Sequence, residues 1–117
     1  MDTNELMRKL ERYGADITGI DRRFYGDREL YKRLFYGMFA DDSLSLLENA
    51  VEKKDYDKAF EYAHSLKGLT GNLGLTPLYK DICYLVEALR AKEYDNTNMQ
   101  CDDVVYQMRL LEKMALE

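Results

Sequence analysis

Gly74-Leu75-Thr76-Pro77-Leu78-Tyr79-Lys80-Asp81-Ile82-Cys83-Tyr84-Leu85-Val86-Glu87-Ala88-Leu89-Arg90 is the stretch that decides the fold. Gly74 suits the position just past a helix, Thr76 an N-cap, and Pro77 the first turn of a new helix. Beyond that boundary Leu78, Ile82, Leu85, Val86 and Leu89 recur at helical spacing. Such a stripe is one face of an amphipathic helix, buried against neighbours.

The same spacing extends in both directions. Upstream, a helix is predicted from about Tyr56 to Leu73, with Lys53-Lys54-Asp55 as a tight connection before it. Asp27 is an N-cap candidate for a long helix that carries Leu30, Leu34 and Met38 beside Tyr31, Phe35 and Phe39, then Leu46, Leu47, Ala50 and Val51. A bend is expected near Ala40-Asp41-Asp42. Nearer the start, Leu6, Met7 and Leu10 mark a helix from about Asn4 to Tyr13 that Gly14 ends, followed by a short turn of helix around Ile20 to Tyr25. Downstream, Asp95-Asn96-Thr97-Asn98 reads as a polar loop. The last helix, about Cys101 to Ala115, holds Val104, Val105, Met108 and Leu111. No β-like alternation, internal repeat or low-complexity segment interrupts the pattern.

Four substantial helices with short connections imply an all-α fold, an antiparallel up-down-up-down four-helix bundle with a short N-terminal helix flanking one end. The expectation is a single domain over 1–117, with 1–26 as N-terminal helix and lead-in and about 27–116 as the bundle. The ten tyrosines are expected mostly at the edges of the apolar stripes, ring buried and hydroxyl wet.

Composition narrows the function classes. With 46% hydrophobic and 33% charged residues the 117-residue chain has the profile of one globular domain. No apolar run suits a membrane span, and Met1-Asp2-Thr3-Asn4-Glu5 lacks a signal-peptide pattern, so a cytoplasmic protein is expected. A net charge of −5 argues against nucleic acid as partner. Cys83 and Cys101 are too few for a disulfide framework and too few for a zinc site; two reduced, partly buried thiols are expected. Neither G-x-x-x-x-G-K-[ST] nor G-x-G-x-x-G occurs, so no nucleotide loop is expected.

One segment does not read as scaffold. On a helical wheel at about 100° per residue, Leu66, Leu73, Tyr62 and Leu69 cluster opposite His64, with Ala59 and Thr70 beside them. The His64 side holds Phe60, Asp57, Lys67, Gly68, Gly71 and Leu75, all within about 60° of it. His64 therefore faces solvent. Each interior helical glycine costs about 0.5–1 kcal/mol relative to alanine. The wheel turns Gly68 and Gly71 away from the core, which leaves a need for bare surface beside His64 as their explanation. Imidazole is a nucleophile, Lys67 one turn on can meet a negative group attached to it, and Phe60 and Leu75 would form an apolar rim. On these residues alone two readings stand: a functional histidine, and an ordinary polar residue on a surface helix.

Ala63-His64-Ser65-Leu66-Lys67-Gly68-x-x-Gly71-Asn72-Leu73-Gly74 closely resembles the signature of histidine-containing phosphotransfer (HPt) domains of bacterial multistep phosphorelays. That signature runs alanine, phosphoaccepting histidine, small hydroxyl residue, Leu-Lys-Gly, and a closing Leu-Gly or Ile-Gly. Gly19-Ile20-Asp21, Arg23-Phe24, Gly26-Asp27 and Leu30-Tyr31 look like the family's lead-in, and Glu87-Ala88-Leu89-Arg90 like the end of the helix behind the histidine helix. The likeness covers roughly residues 14 to 115.

The resemblance implies that His64 is the phosphoacceptor through the ring nitrogen far from the backbone. It implies that Lys67 stabilises the phosphoryl group and that Gly68, with Gly71 on the same face, leaves room for a receiver domain. It implies a carrier without kinase activity of its own, taking phosphate from a receiver aspartate and passing it to another. Partners would be response-regulator receivers, a hybrid histidine kinase, or both, with the carrier monomeric and away from membranes. No cofactor or metal is expected in this chain, Mg²⁺ being supplied by the receiver. The competing readings are an HPt-like adaptor that docks without carrying phosphate, a purely structural or dimerising bundle, and a metal or haem ligand role for His64. One histidine with no clear carboxylate pair beside it weighs against the last.

Overall fold

The computed structural model describes residues 1–117, and every regular element in it is helical. Seven helices follow one another: α1 (Thr3–Tyr13), α2 (Ile17–Arg23), α3 (Arg28–Ala40), α4 (Ser43–Glu52), α5 (Tyr56–Asn72), α6 (Thr76–Arg90) and α7 (Thr97–Leu116). Aspartates hold the N-cap of five of them, and in all but α4, where Asp42 makes no such bond, the side chain caps the helix. The side chains of Asp2, Asp16, Asp27 and Asp55 accept from the backbone N–H three residues on, those of Glu5, Gly19, Leu30 and Lys58, satisfying donors that a helix start leaves unpaired.

The long helix expected from the Asp27 N-cap through Val51 is two helices. Asp41 is extended at ψ 141°, and its carboxylate accepts from Ser43 N at 2.7 Å. That local bond competes with helix continuation, so the bend becomes a break. Freed from α4, α3 buries Tyr31, Phe35 and Met38 and turns Leu34 outward at 44% exposed. Other boundaries move less. The short turn expected at 20–25 is α2, beginning at Ile17. Leu75, not Thr76, holds the N-cap position of α6, without a side-chain cap, and Pro77 lies in the first turn as expected. The last helix begins a turn early, at Thr97, which is buried and shortens the polar loop.

Helices α4, α5, α6 and α7 form a closed circuit: α4 packs on α5, α5 on α6, α6 on α7, and α7 back on α4. Leu78, Ile82, Leu85, Val86 and Leu89, the stripe that signalled the fold, are all buried within it. A helix of ten residues such as α4 spans about 15 Å, and one of twenty such as α7 about 30 Å. α4 therefore leaves part of the bundle uncovered, and α3 reaches the remainder. The Tyr36 hydroxyl donates to the Ala115 carbonyl at 3.0 Å and the Tyr31 hydroxyl to the Leu73 carbonyl at 2.6 Å, tying α3 to the last residues of α7 and to the residue closing α5. Helix α1 packs on α2 and α3. Three helices, rather than one, thus close this end. Arg28 clasps them by donating to both carboxylate oxygens of Asp21 and to Asn4 Oδ1.

Tyr31 departs from the expectation for tyrosines. It is wholly buried, and its hydroxyl is satisfied by a backbone carbonyl rather than by water; burial raises the phenol's pKa. Cys83 is half-buried. Cys101 is buried, which, with the charges of Glu48 and Asp102, pushes its thiol up to about 11. No helix is long and apolar enough to cross a membrane.

Candidate functional site

Helix α5 carries the site. Its buried stripe is Ala59, Ala63, Leu66 and Thr70, continued by Leu73 in the turn beyond. Tyr62 and Leu69, expected at the centre of the core face, are half-buried at its flank. The small side chains of Ala59 and Ala63 let α4 and α6 close on α5 from two sides, which rotates the buried centre toward them. Thr70 turns its hydroxyl back to the Leu66 carbonyl at 2.8 Å, so its burial leaves no donor unpaired.

That rotation leaves His64 outward, as expected, exposed with its ring nearly parallel to Phe60 one turn earlier (centroids 5.8 Å apart, planes at 18°). Phe60 is half-buried. The Arg90 guanidinium, at the end of α6, lies 5.2 Å from the same ring's centroid, and Glu87 holds Arg90 at 3.6 Å. One aromatic ring thus lies against both the imidazole and a cation, a contact worth about 0.5–1 kcal/mol at an exposed site. Lys67 stands three residues after His64, half-buried, and forms no ion pair.

The two glycines part company. A Cβ on Gly68 would meet nothing within 4 Å. A Cβ on Gly71 would stand 3.0 Å from Tyr79 Cε2, on α6. Gly68 is open surface beside His64. Gly71, expected to be bare for the same reason, instead gives room to a tyrosine of this chain. The two should therefore differ on mutation: Gly68→Ala stabilises by about 0.5–1 kcal/mol in chemical denaturation, while Gly71→Ala gains little or loses. Equal gains would contradict the Gly71–Tyr79 contact.

Leu75 is a correction. It was expected on the apolar rim, and it is fully buried. The wheel assumed one helix running through residue 75, but α5 ends at Asn72. Gly74 turns left-handed at φ +66°, and the chain swings Leu75 into the core.

An open depression beside His64 is bounded by Lys67, Gly68, Gly71, Tyr79 and Arg23. Arg23 comes from α2, and its Nε donates to the Asn72 carbonyl at 2.9 Å. Arg23, Arg90 and Tyr79 had no signal in the histidine segment, since other helices bring them in. With Asn72 also on its edge, this lining of two cations, two glycines, an amide and a phenol, with no carboxylate, suits an anionic group and is a poor donor set for Mg²⁺, which takes carboxylate and other oxygen ligands.

These features define a class: a helical bundle that holds a lone imidazole outward beside unpaired cations and a bare glycine. A family model described as Hpt domain matches residues 36–116, from the last turns of α3 through α7, and the chain belongs to the Hpt domain family. Domains of this family are phosphocarrier modules of two-component signalling that work with receiver domains and histidine kinases. Comparison with curated proteins and with solved structures gave no match.

Proposed function

We propose that this protein takes a phosphoryl group from the aspartyl phosphate of one receiver domain onto His64 and passes it to an aspartate of a second. The observation that carries this reading is an imidazole facing solvent with Gly68 next to it open to any approach. The step is a displacement at phosphorus. The lone pair of a neutral ring nitrogen attacks in line, the phosphorus–oxygen bond to the aspartate breaks, and the carboxylate leaves. The other ring nitrogen gives its proton to water. Transfer to the next receiver is the reverse. Phosphoryl transfer needs positioning and charge stabilisation more than covalent help. The Phe60 stack orients the imidazole, and Lys67 supplies charge. Mg²⁺ comes from the receiver, and this chain needs neither a cofactor nor ATP.

The rest of the reading is a single cytoplasmic, monomeric domain whose four bundle helices, α4 to α7, run up-down-up-down. Support for the topology comes from α3, which bonds through Tyr31 and Tyr36 to the ends of both α5 and α7, so these two finish at one pole. The short turn at Leu73–Leu75 starts α6 from there in the opposite sense.

The test is incubation with a receiver domain carrying labelled phosphate. The expected product is a labelled chain whose phosphate is lost in acid and kept in base. A chain that binds the receiver normally yet takes up no label is an adaptor, and the carrier reading fails.

A further inference from the structure

We propose that Arg23, from outside the histidine helix and outside the residues matched by the family model, is a second cation for the phosphoryl group on His64. This rests on the carrier reading. The guanidinium is anchored at one edge by the Nε bond to the Asn72 carbonyl. Its remaining donors have no carboxylate within ion-pair distance, whereas Arg28 is held by Asp21 and Arg90 by Glu87. Asp16, which shares an adjoining depression with Arg23, uses Oδ1 to cap α2 and forms no ion pair with it. Arg8, Arg12, Arg22, Arg33 and Arg109 form no ion pair either, but Arg23 alone among the arginines lines the depression beside His64.

The fold makes room for it. Gly74 is buried at φ +66°, and a Cβ there would stand 3.0 Å from Arg23 Nη2 and 2.7 Å from Ile20 Cγ1. The glycine thus admits both the buried anchor of α2 and the arginine at its end. Arg23 then lines the same depression as His64 and Lys67. A phosphoryl group carries about two negative charges near neutral pH. Lys67 balances one, and Arg23 balances the other with a planar fork suited to phosphate oxygens. The alternative is that Arg23 merely offsets the negative end of α5 through Asn72.

Phosphoramidate separates the two, because it loads histidine without a receiver. The lone pair of the His64 ring nitrogen attacks phosphorus, the donor's phosphorus–nitrogen bond breaks, and ammonia leaves. The ³¹P resonance of the loaded protein is then titrated with pH. A nearby cation favours the phosphoryl dianion and lowers its titration midpoint. Arg23→Gln should raise the midpoint by about half a unit, a threefold change in the equilibrium. Arg23→Lys should restore most of the difference. Arg33→Gln, which removes an exposed arginine away from the depression, should leave the midpoint where it was. In the unsubstituted protein the Arg23 Nε–Hε resonance should move on loading. A midpoint unchanged in Arg23→Gln, or an Arg23 resonance that stays put, overturns the proposal with the carrier reading intact. Loading that is absent, or equal in His64→Gln, overturns the carrier reading and this inference with it.

Discussion

Replacing His64 by glutamine should abolish phosphoryl uptake from a phosphorylated receiver while leaving the fold untouched. The side chain is exposed, makes no hydrogen bond and touches the rest of the molecule through its stack on Phe60. Surface changes of this kind usually move stability by no more than about 0.5 kcal/mol, so the melting transition should be nearly unchanged. Glutamine has similar reach and polarity, but its amide nitrogen has no available lone pair to attack phosphorus. No second histidine exists in the chain to take over. Labelled phosphate retained through base treatment should fall to background, and receiver binding should persist. Transfer that survives the substitution removes His64 from the mechanism.

The second large effect is on stability and falls at Gly74. A valine there meets two separate penalties. The backbone is left-handed at φ +66°, costing a non-glycine residue about 1–2 kcal/mol and a β-branched one at least that. Its Cβ would also stand 2.7 Å from Ile20, which is fully buried and has little room to retreat. Overpacking a core site adds about 1–3 kcal/mol. Together Gly74→Val should lose about 2–5 kcal/mol in urea denaturation, a large part of the 5–15 kcal/mol typical of a domain. A loss under about 1 kcal/mol would mean that α2 does not dock on this turn as described. Folded Gly74→Val should also displace Arg23, so its loaded form should resemble Arg23→Gln in the phosphorus titration.

What the sequence made legible is what one helix dictates to itself. The stripe from Leu78 to Leu89 and the breaker run at Gly74–Pro77 located α6, and the wheel turned His64 and Gly68 outward. The wheel then failed where neighbours decide. It carried Leu75 past the true end of α5. It left Gly71 facing open space because it held no record of Tyr79 on α6. It centred the core face on Leu66, Leu73, Tyr62 and Leu69, whereas helices closing from two sides moved that centre onto the alanines. The break at Asp41 depended on a side-chain bond that competes with the helix, and periodicity does not register such bonds. Arg23 stands out in the sequence only as part of a lead-in, since its approach to the histidine depends on α2 docking over a turn about fifty residues later in the chain.

The closing of one pole by α1, α2 and α3 sets where this protein could be cut. A fragment limited to residues 36–116 would keep α4 to α7 and His64. It would also lose Tyr31, which satisfies the Leu73 carbonyl, and Ile20, which packs against Gly74. Leu73 and Leu75, now dry, would be wetted, and the turn that joins the histidine helix to the next would become the first part of the molecule to fray. The smallest piece that keeps the site in shape is therefore longer than the piece that identifies the family.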